Sequence, residues 1–343
     1  MKLGYETLDL YPRHTFTISR QEETGEVFRN VLVRLEHDGL TGWGEAAPDI
    51  YYGENWLTVG AALETFRPLL EREKDPWGAE NLMMELDRCL SGNWSAKAAV
   101  DMALYDLQGK LCGRPVYEML GLDPDAAPLS SFTIGIDRLE VVAEKLREAA
   151  ACPMLKIKLG GPEDLEIMEA VHRANPEAVV RVDANTGWTP HLALEMTEKL
   201  VDYNVEFVEQ PLPEGDRDGM RWLKARSWLP LIADESCRRL EDVPRAAGLF
   251  DGINIKLAKS GGIRHALKMI HTARALGMKV MLGCMIESSI GITAAAQISP
   301  LVDYADLDGA ALLADDPFRG MEFASGRLSL PSSPGLGVEP RAG

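Results

Sequence analysis

Apolar residues in the second half of the chain gather into short runs, and five of the eight close on a charged or amide residue. Eight such runs follow one another: Phe132–Ile136, Met154–Leu159, Val179–Asp183, Phe207–Gln210, Leu231–Asp234, Gly252–Lys256, Val280–Cys284 and Tyr304–Asp308. Between them lie stretches with helical periodicity. Strand and helix in alternation predict a parallel sheet, and eight units favour closure into an α/β barrel of the TIM-like (β/α)7β type. An open doubly wound sheet would carry a glycine-rich turn after its first strand, and none follows here.

The first 125 residues have a different texture. Asn30–Glu36 and Gly42–Glu45, joined across His37-Asp38-Gly39, read as a strand hairpin. A helical pattern from Ser95 to Asp106 follows, with Ser95 as the expected N-cap. The organisation expected is an N-terminal α+β capping domain over residues 1–125, completed by a Pro-, Gly- and Ser-rich tail over 315–343, and a catalytic barrel over 126–314.

Composition narrows the function classes. A net charge of −17 disfavours nucleic acid and anionic membrane surfaces, which would repel the chain. The apolar stretch from Val280 to Ile298 is interrupted by Glu287 and Gln297, so no membrane span is expected. Five scattered cysteines without a Cys-x-x-Cys pair suggest reduced thiols, and the start of the chain lacks a signal-peptide core; both point to the cytoplasm.

The strand ends carry the chemistry. Asp183, Glu209 and Asp234 close successive runs at intervals of 26 and 25 residues. Three carboxylates at the same end of neighbouring parallel strands repel one another unless a cation lies among them. An all-oxygen ligand set suits Mg²⁺, or Mn²⁺, rather than Zn²⁺. Lys156 and Lys158 are two apart on the second strand, so both face the barrel interior, with Lys158 nearer the mouth. Lys256 ends the sixth strand, opposite the second in a ring of eight. One amine is therefore expected on each side of a metal-held substrate. Lys259 lies in the loop beyond.

Together Lys156-Ile157-Lys158, Asp183-Ala184-Asn185, Glu209-Gln210-Pro211, Asp234-Glu235-Ser236 and Asn254-Ile255-Lys256 resemble the enolase superfamily, and within it the muconate-lactonizing subgroup. The resemblance implies an enolase-like capping domain, Mg²⁺ on the three acids, Lys158 and Lys256 as acid–base pair, and Asn185 and Glu235 behind the ligands. None of the six histidines ends a strand, unlike the mandelate-racemase pattern. Asp306-Leu307-Asp308 on the eighth strand is similar to the dipeptide epimerases, where such a pair receives the substrate ammonium. The implied reaction is 1,1-proton transfer at the Cα of a dipeptide's C-terminal residue through a metal-stabilised enediolate. Lys156, Glu287, Ser288, Arg20 and Tyr52 are expected beside the dipeptide, and family resemblance suggests a homo-oligomer.

Side-chain preference is expected to come from the loops 18–24 and 49–54 closing over the mouth. Arg20 could meet an acidic side chain, whereas Glu22, Glu23 and Glu54 disfavour one. A cycloisomerase or an o-succinylbenzoate synthase would use the same lysines and metal but leave Asp306 and Asp308 unexplained. A Schiff-base aldolase would need no metal. A binding barrel without activity would leave the lysines without a catalytic role.

Overall fold

The computed structural model describes residues 1–14, 17–19 and 27–341. Its first part is an antiparallel sheet of β1 (Lys2–Leu10), β2 (Phe28–His37) and β3 (Leu40–Ala46), backed by α1 (Trp56–Arg72), α2 (Ala79–Cys89) and α3 (Trp94–Cys112). The expected hairpin is present. Asp38 and Gly39 both take positive φ, 48° and 78°, the geometry of a tight two-residue turn whose twist matches the strands.

Glycines explain how closely α3 lies on this sheet. A Cβ at Gly42 would sit 2.1 Å from the Ala103 carbonyl oxygen, and one at Gly44 only 1.9 Å from that of Ala99. Trp43 and Glu45, alternating with them, point the other way, toward Phe318 and Ser288 of the second part. The helix start differs from expectation. Asn93 is the N-cap residue, in the left-handed region, and the helix begins at Trp94. Its first amides are capped from a distance: the Glu54 carboxylate accepts from Trp94 N at 2.7 Å and Ser95 N at 3.0 Å. A side chain 40 residues upstream took the task that local sequence assigned to Ser95.

The second part is an eight-stranded parallel sheet in ring order: β4 (Phe132–Ile134), β5 (Met154–Lys158), β6 (Val179–Asp183), β7 (Val205–Glu209), β8 (Leu231–Ala233), β9 (Gly252–Lys256), β10 (Lys279–Gly283) and β11 (Tyr304–Asp306). A parallel bridge from Ser130 to Ala305, with Ser131 N donating to Ala305 O at 3.1 Å, draws β4 to β11 and nearly closes the barrel. Several expected strands end one or two residues early; Asp234 and Asp308 lie just past their strands.

Alternation sorts the strand side chains. Leu155, Ile157, Val180, Val182 and Val208 belong to the apolar layer between strands and helices. Arg181, Phe207 and Tyr304 fill the lower interior, the guanidinium lying 5.5 and 5.1 Å from the two ring centroids. Two residues further along the same strands come Asp183, Glu209 and Asp306, so one period-two step separates a packed floor from a charged chamber. In the tail, Phe318, Met321, Leu328, Leu336 and Val338 join the apolar layer of the barrel, while Leu336 N donates to Asp106 of α3. No helix among the described residues is long and apolar enough to cross a membrane.

Candidate active site

Asp183, Glu209 and Asp234 are fully buried, and one carboxylate oxygen from each lies within 4.8 Å of the others. With oxygen donors only, this set fits a hard divalent cation. Burial alone would protonate these acids; four lysines oppose it. Lys156 Nζ touches Asp183 at 3.1 Å, Glu209 at 2.8 Å and Asp306 at 2.9 Å. Lys158 lies 2.7 Å from Asp183, and Lys256 lies 2.7 Å from Asp234. Lys259 also reaches Asp234, through both its carboxylate and its backbone oxygen.

The balance is uneven across the triad. Burial raises the Asp183 and Asp234 carboxyls, but the lysines beside them prevail and hold both below their ordinary value. Glu209 is pushed up to about 7, by burial first and then by the negative charge of Asp183. At Glu209, then, the neighbouring lysines do not offset burial and the charge of Asp183. Burial lowers Lys158; at Lys256 burial also pulls down, but Asp234 together with Tyr52 and Glu209 raises it on balance.

Backbone geometry around the acids is unusual. Asn185 and Gln210, each placed just past an acid of the triad, hold positive φ values of 41° and 37°. Such positions persist only where surroundings fix them. Asn185 N donates to Asp183 at 2.9 Å and its amide to Glu235 at 3.2 Å. Gln210 ties the strands of Glu209 and Asp234 together: its Oε1 accepts from Asp234 N at 3.1 Å and Ser236 N at 3.0 Å. Asn254 donates to Glu209 at 2.7 Å, and Gly283 leaves room for it, since a Cβ there would lie 2.7 Å from the Asn254 amide oxygen. Gln210 was visible in sequence only as the neighbour of Glu209, and Asn254 only within the run that ends at Lys256.

A cavity of about 330 Å³ opens above the acids, between barrel and cap. Lys156, Lys158, Lys256, Asn185, Asp306 and Asp308 line its barrel side; Ile18, Phe28, Ile50 and Trp56 line the cap side. The Asp306–Asp308 pair is held by β4 and the residue before it: Ser131 Oγ donates to Asp306 at 2.7 Å, and Thr133 N donates to Asp308 at 2.6 Å. Lys156 keeps Asp306 low against burial, while burial and then Asp306 push Asp308 up to about 7. Ser131 and Thr133 were not foreseen; they lie just before and on the first barrel strand, which has no charged residue to mark it.

Three expected contacts fall elsewhere, and a fourth is not described. Ser288 turns away from the cavity, its Oγ donating to the buried Glu45 of β3 at 2.6 Å. Glu287 is buried behind Met285 and Ile286, which line the cavity, and accepts from Met285 N at 2.8 Å. Tyr52 lines an adjacent cavity, its ring against Arg238. Arg20, with Glu22 and Glu23, lies outside the described residues.

Comparison with known proteins agrees with this geometry. Residues 8–121 match the model of the mandelate racemase / muconate lactonizing enzyme N-terminal domain, and residues 138–343 that of the enolase C-terminal domain-like family. The chain belongs to the mandelate racemase / muconate lactonizing enzyme family. Among its relatives is the L-Ala-D/L-Glu epimerase of Bacteroides thetaiotaomicron, 42% identical over 98% of this chain and 88% of that one. A substrate-liganded L-Ala-D/L-Glu epimerase from Bacillus subtilis superposes with a TM-score of 0.93 at 30% identity, over 100% of both chains. A dipeptide epimerase from Enterococcus faecalis, complexed with Mg and L-Leu-L-Tyr, gives 0.90 at 33% identity over 98% of each.

Proposed function

We propose that this protein is a Mg²⁺-dependent dipeptide epimerase that inverts the Cα of the C-terminal residue. The observation that carries the reading is a single cavity flanked by Lys158 and Lys256, each anchored to a different acid of one buried triad, with two further carboxylates at its far side. Relatives named as dipeptide epimerases support it.

Asp183, Glu209 and Asp234 would hold Mg²⁺, or Mn²⁺ by the same oxygen chemistry. The bound cation supplies electrostatic stabilisation for the charge that gathers on the substrate carboxylate as the Cα proton leaves. Lys158 Nζ and Lys256 Nζ take and return that proton, the amine on one side and the ammonium on the other. They exchange roles for the opposite epimer. Lys156, bonded to both acid groups, fixes the floor between them. Asp306 and Asp308 accept the ammonium of the dipeptide, so the free N-terminus sets the substrate's orientation. Cycloisomerase and o-succinylbenzoate synthase substrates carry no ammonium, and the pair would have no part in either reaction.

The test is incubation of dipeptide libraries in D₂O with Mg²⁺, scoring deuterium at the C-terminal Cα by mass spectrometry. Incorporation with inversion is expected in at least one L,L or L,D library. No incorporation in any would end this reading.

A further inference from the structure

We infer that Arg238 is a positioning residue that fastens the cap segment Ile50–Glu54 to the barrel mouth and thereby sets the KM for the dipeptide. The inference rests on the epimerase reading for its kinetic consequence, and on geometry alone for the fastening. Ile50 and Glu54 line the substrate cavity from the cap side. The segment is a short turn: Asp49 caps it by accepting from Tyr51 N at 2.8 Å, and Gly53 ends it at φ 79°. Its cap-domain end is pinned by Glu54 on the first amides of α3. Ile50 is 82% exposed, so apolar burial gives that end of the turn little hold on the barrel.

On the barrel side a guanidinium meets the turn. Arg238 lies 4.8 Å from the Tyr52 ring centroid and 5.4 Å from that of Tyr51. The two rings stand at 87° to each other, forming a corner around it. Both contacts lie within the range of cation–π attraction. Arg238 is itself fixed at its base. Its Nε donates to Glu235 O at 3.2 Å, its backbone N to Asp242 at 3.1 Å, and its Nη2 pairs with Glu214. Glu235 follows the ligand Asp234, and Glu214 lies in the loop that follows the ligand Glu209. One side chain therefore spans the loops behind two triad acids and the cap turn over the substrate. It does not line the substrate cavity, so it acts through the turn and not on the reacting atoms.

The fastening needs a planar cation over two ring faces, which a lysine reproduces poorly. Arg238→Met and Arg238→Lys should each raise KM about tenfold with kcat within about twofold of the parent. Tyr51→Phe should keep the parental KM, because the ring and not the hydroxyl makes the contact; Tyr51→Leu should raise it severalfold. Amide hydrogen exchange of residues 49–54, measured without substrate, should accelerate in both Arg238 variants and in Tyr51→Leu, and stay parental in Tyr51→Phe. Unchanged exchange in Arg238→Met and Tyr51→Leu would overturn the inference, as would a fall in kcat with KM unaltered. Because exchange needs no turnover, the fastening is decided even if no dipeptide reacts, an outcome that would count against the epimerase reading alone.

Discussion

Lys156 Nζ stands 2.9 Å from Asp306 while also touching Asp183 and Glu209, so one ammonium joins the acid triad to the acid pair at the far side of the cavity. Removing it leaves several buried carboxylates short of compensation, and stripping one partner from a buried ion network costs about 3–5 kcal/mol. Lys156→Met should therefore unfold at markedly lower temperature than the parent in EDTA. Saturating Mg²⁺ should recover more stability in the variant than in the parent, because the cation replaces part of the lost charge. Thermal unfolding with and without Mg²⁺ measures both; an equal loss under the two conditions would show that Lys156 and the cation do not share this role.

On the proposed mechanism, Lys158 and Lys256 should each control one stereochemical face. Lys158→Ala and Lys256→Ala are both expected to lower epimerisation at least 10³-fold. Each should still exchange the Cα proton of the one epimer whose proton faces the surviving amine. Deuterium exchange of separate L,L and L,D dipeptides in D₂O reads this directly. Loss of exchange from both epimers in either variant would argue against a two-base reaction.

Asp306 and Asp308 should make the free N-terminus matter. The parent is expected to discriminate against N-acetyl dipeptides by at least 10²-fold in kcat/KM, since acetylation removes the charge the two carboxylates meet. Asp308→Asn should lose activity toward free dipeptides, chiefly through KM, and narrow that discrimination. Equal rates on free and acetylated substrates in the parent would remove the reason for assigning the pair to substrate.

Glu45 joins cap to barrel. It is fully buried and accepts from Ser288 N and Oγ, Gly291 N and Asn30 Nδ2, which also reaches Ile286 O. Glu45→Ala leaves these donors unsatisfied and should destabilise the protein by about 2–4 kcal/mol in chemical denaturation. A loss under about 0.5 kcal/mol would mean that water replaces the carboxylate at little cost.

Glu287 gives a pH prediction. Burial first, and then the charge of Glu45, push its carboxyl from 4.5 up to about 8. The folded state then holds this proton more tightly than the unfolded chain, so unfolding releases it. Its contribution to stability is full below pH 4.5 and declines as pH rises to about 8. Glu287→Gln should flatten that decline and be more stable than the parent at pH 8 relative to pH 5. Parallel stability–pH curves for the two proteins would place the proton elsewhere.

The barrel, its strand order and its charged end were legible because two local periods carry them. Alternation at period two sends Lys156 with Lys158, and Arg181 with Asp183, to one face of a strand, and the regular spacing of Asp183, Glu209 and Asp234 brings three strands into register. Parallel strands at 4.7–4.9 Å convert that linear spacing into a cluster without further information. The hairpin turn at Asp38-Gly39 was legible for the same reason, since its backbone requirement is met by adjacent residues.

What tertiary structure alone decided lies where partners are far apart in sequence. Glu54 displaced Ser95 from capping α3, Glu45 drew Ser288 out of the cavity, and Arg238 took the rings of Tyr51 and Tyr52. Each is a contact between loops or domains, and its energy depends on distances that no local pattern encodes. The sequence by itself determined which side chains face the chamber, because handedness and period are properties of the backbone. Only the folded molecule decided which of them are held by one another and which remain turned toward a substrate.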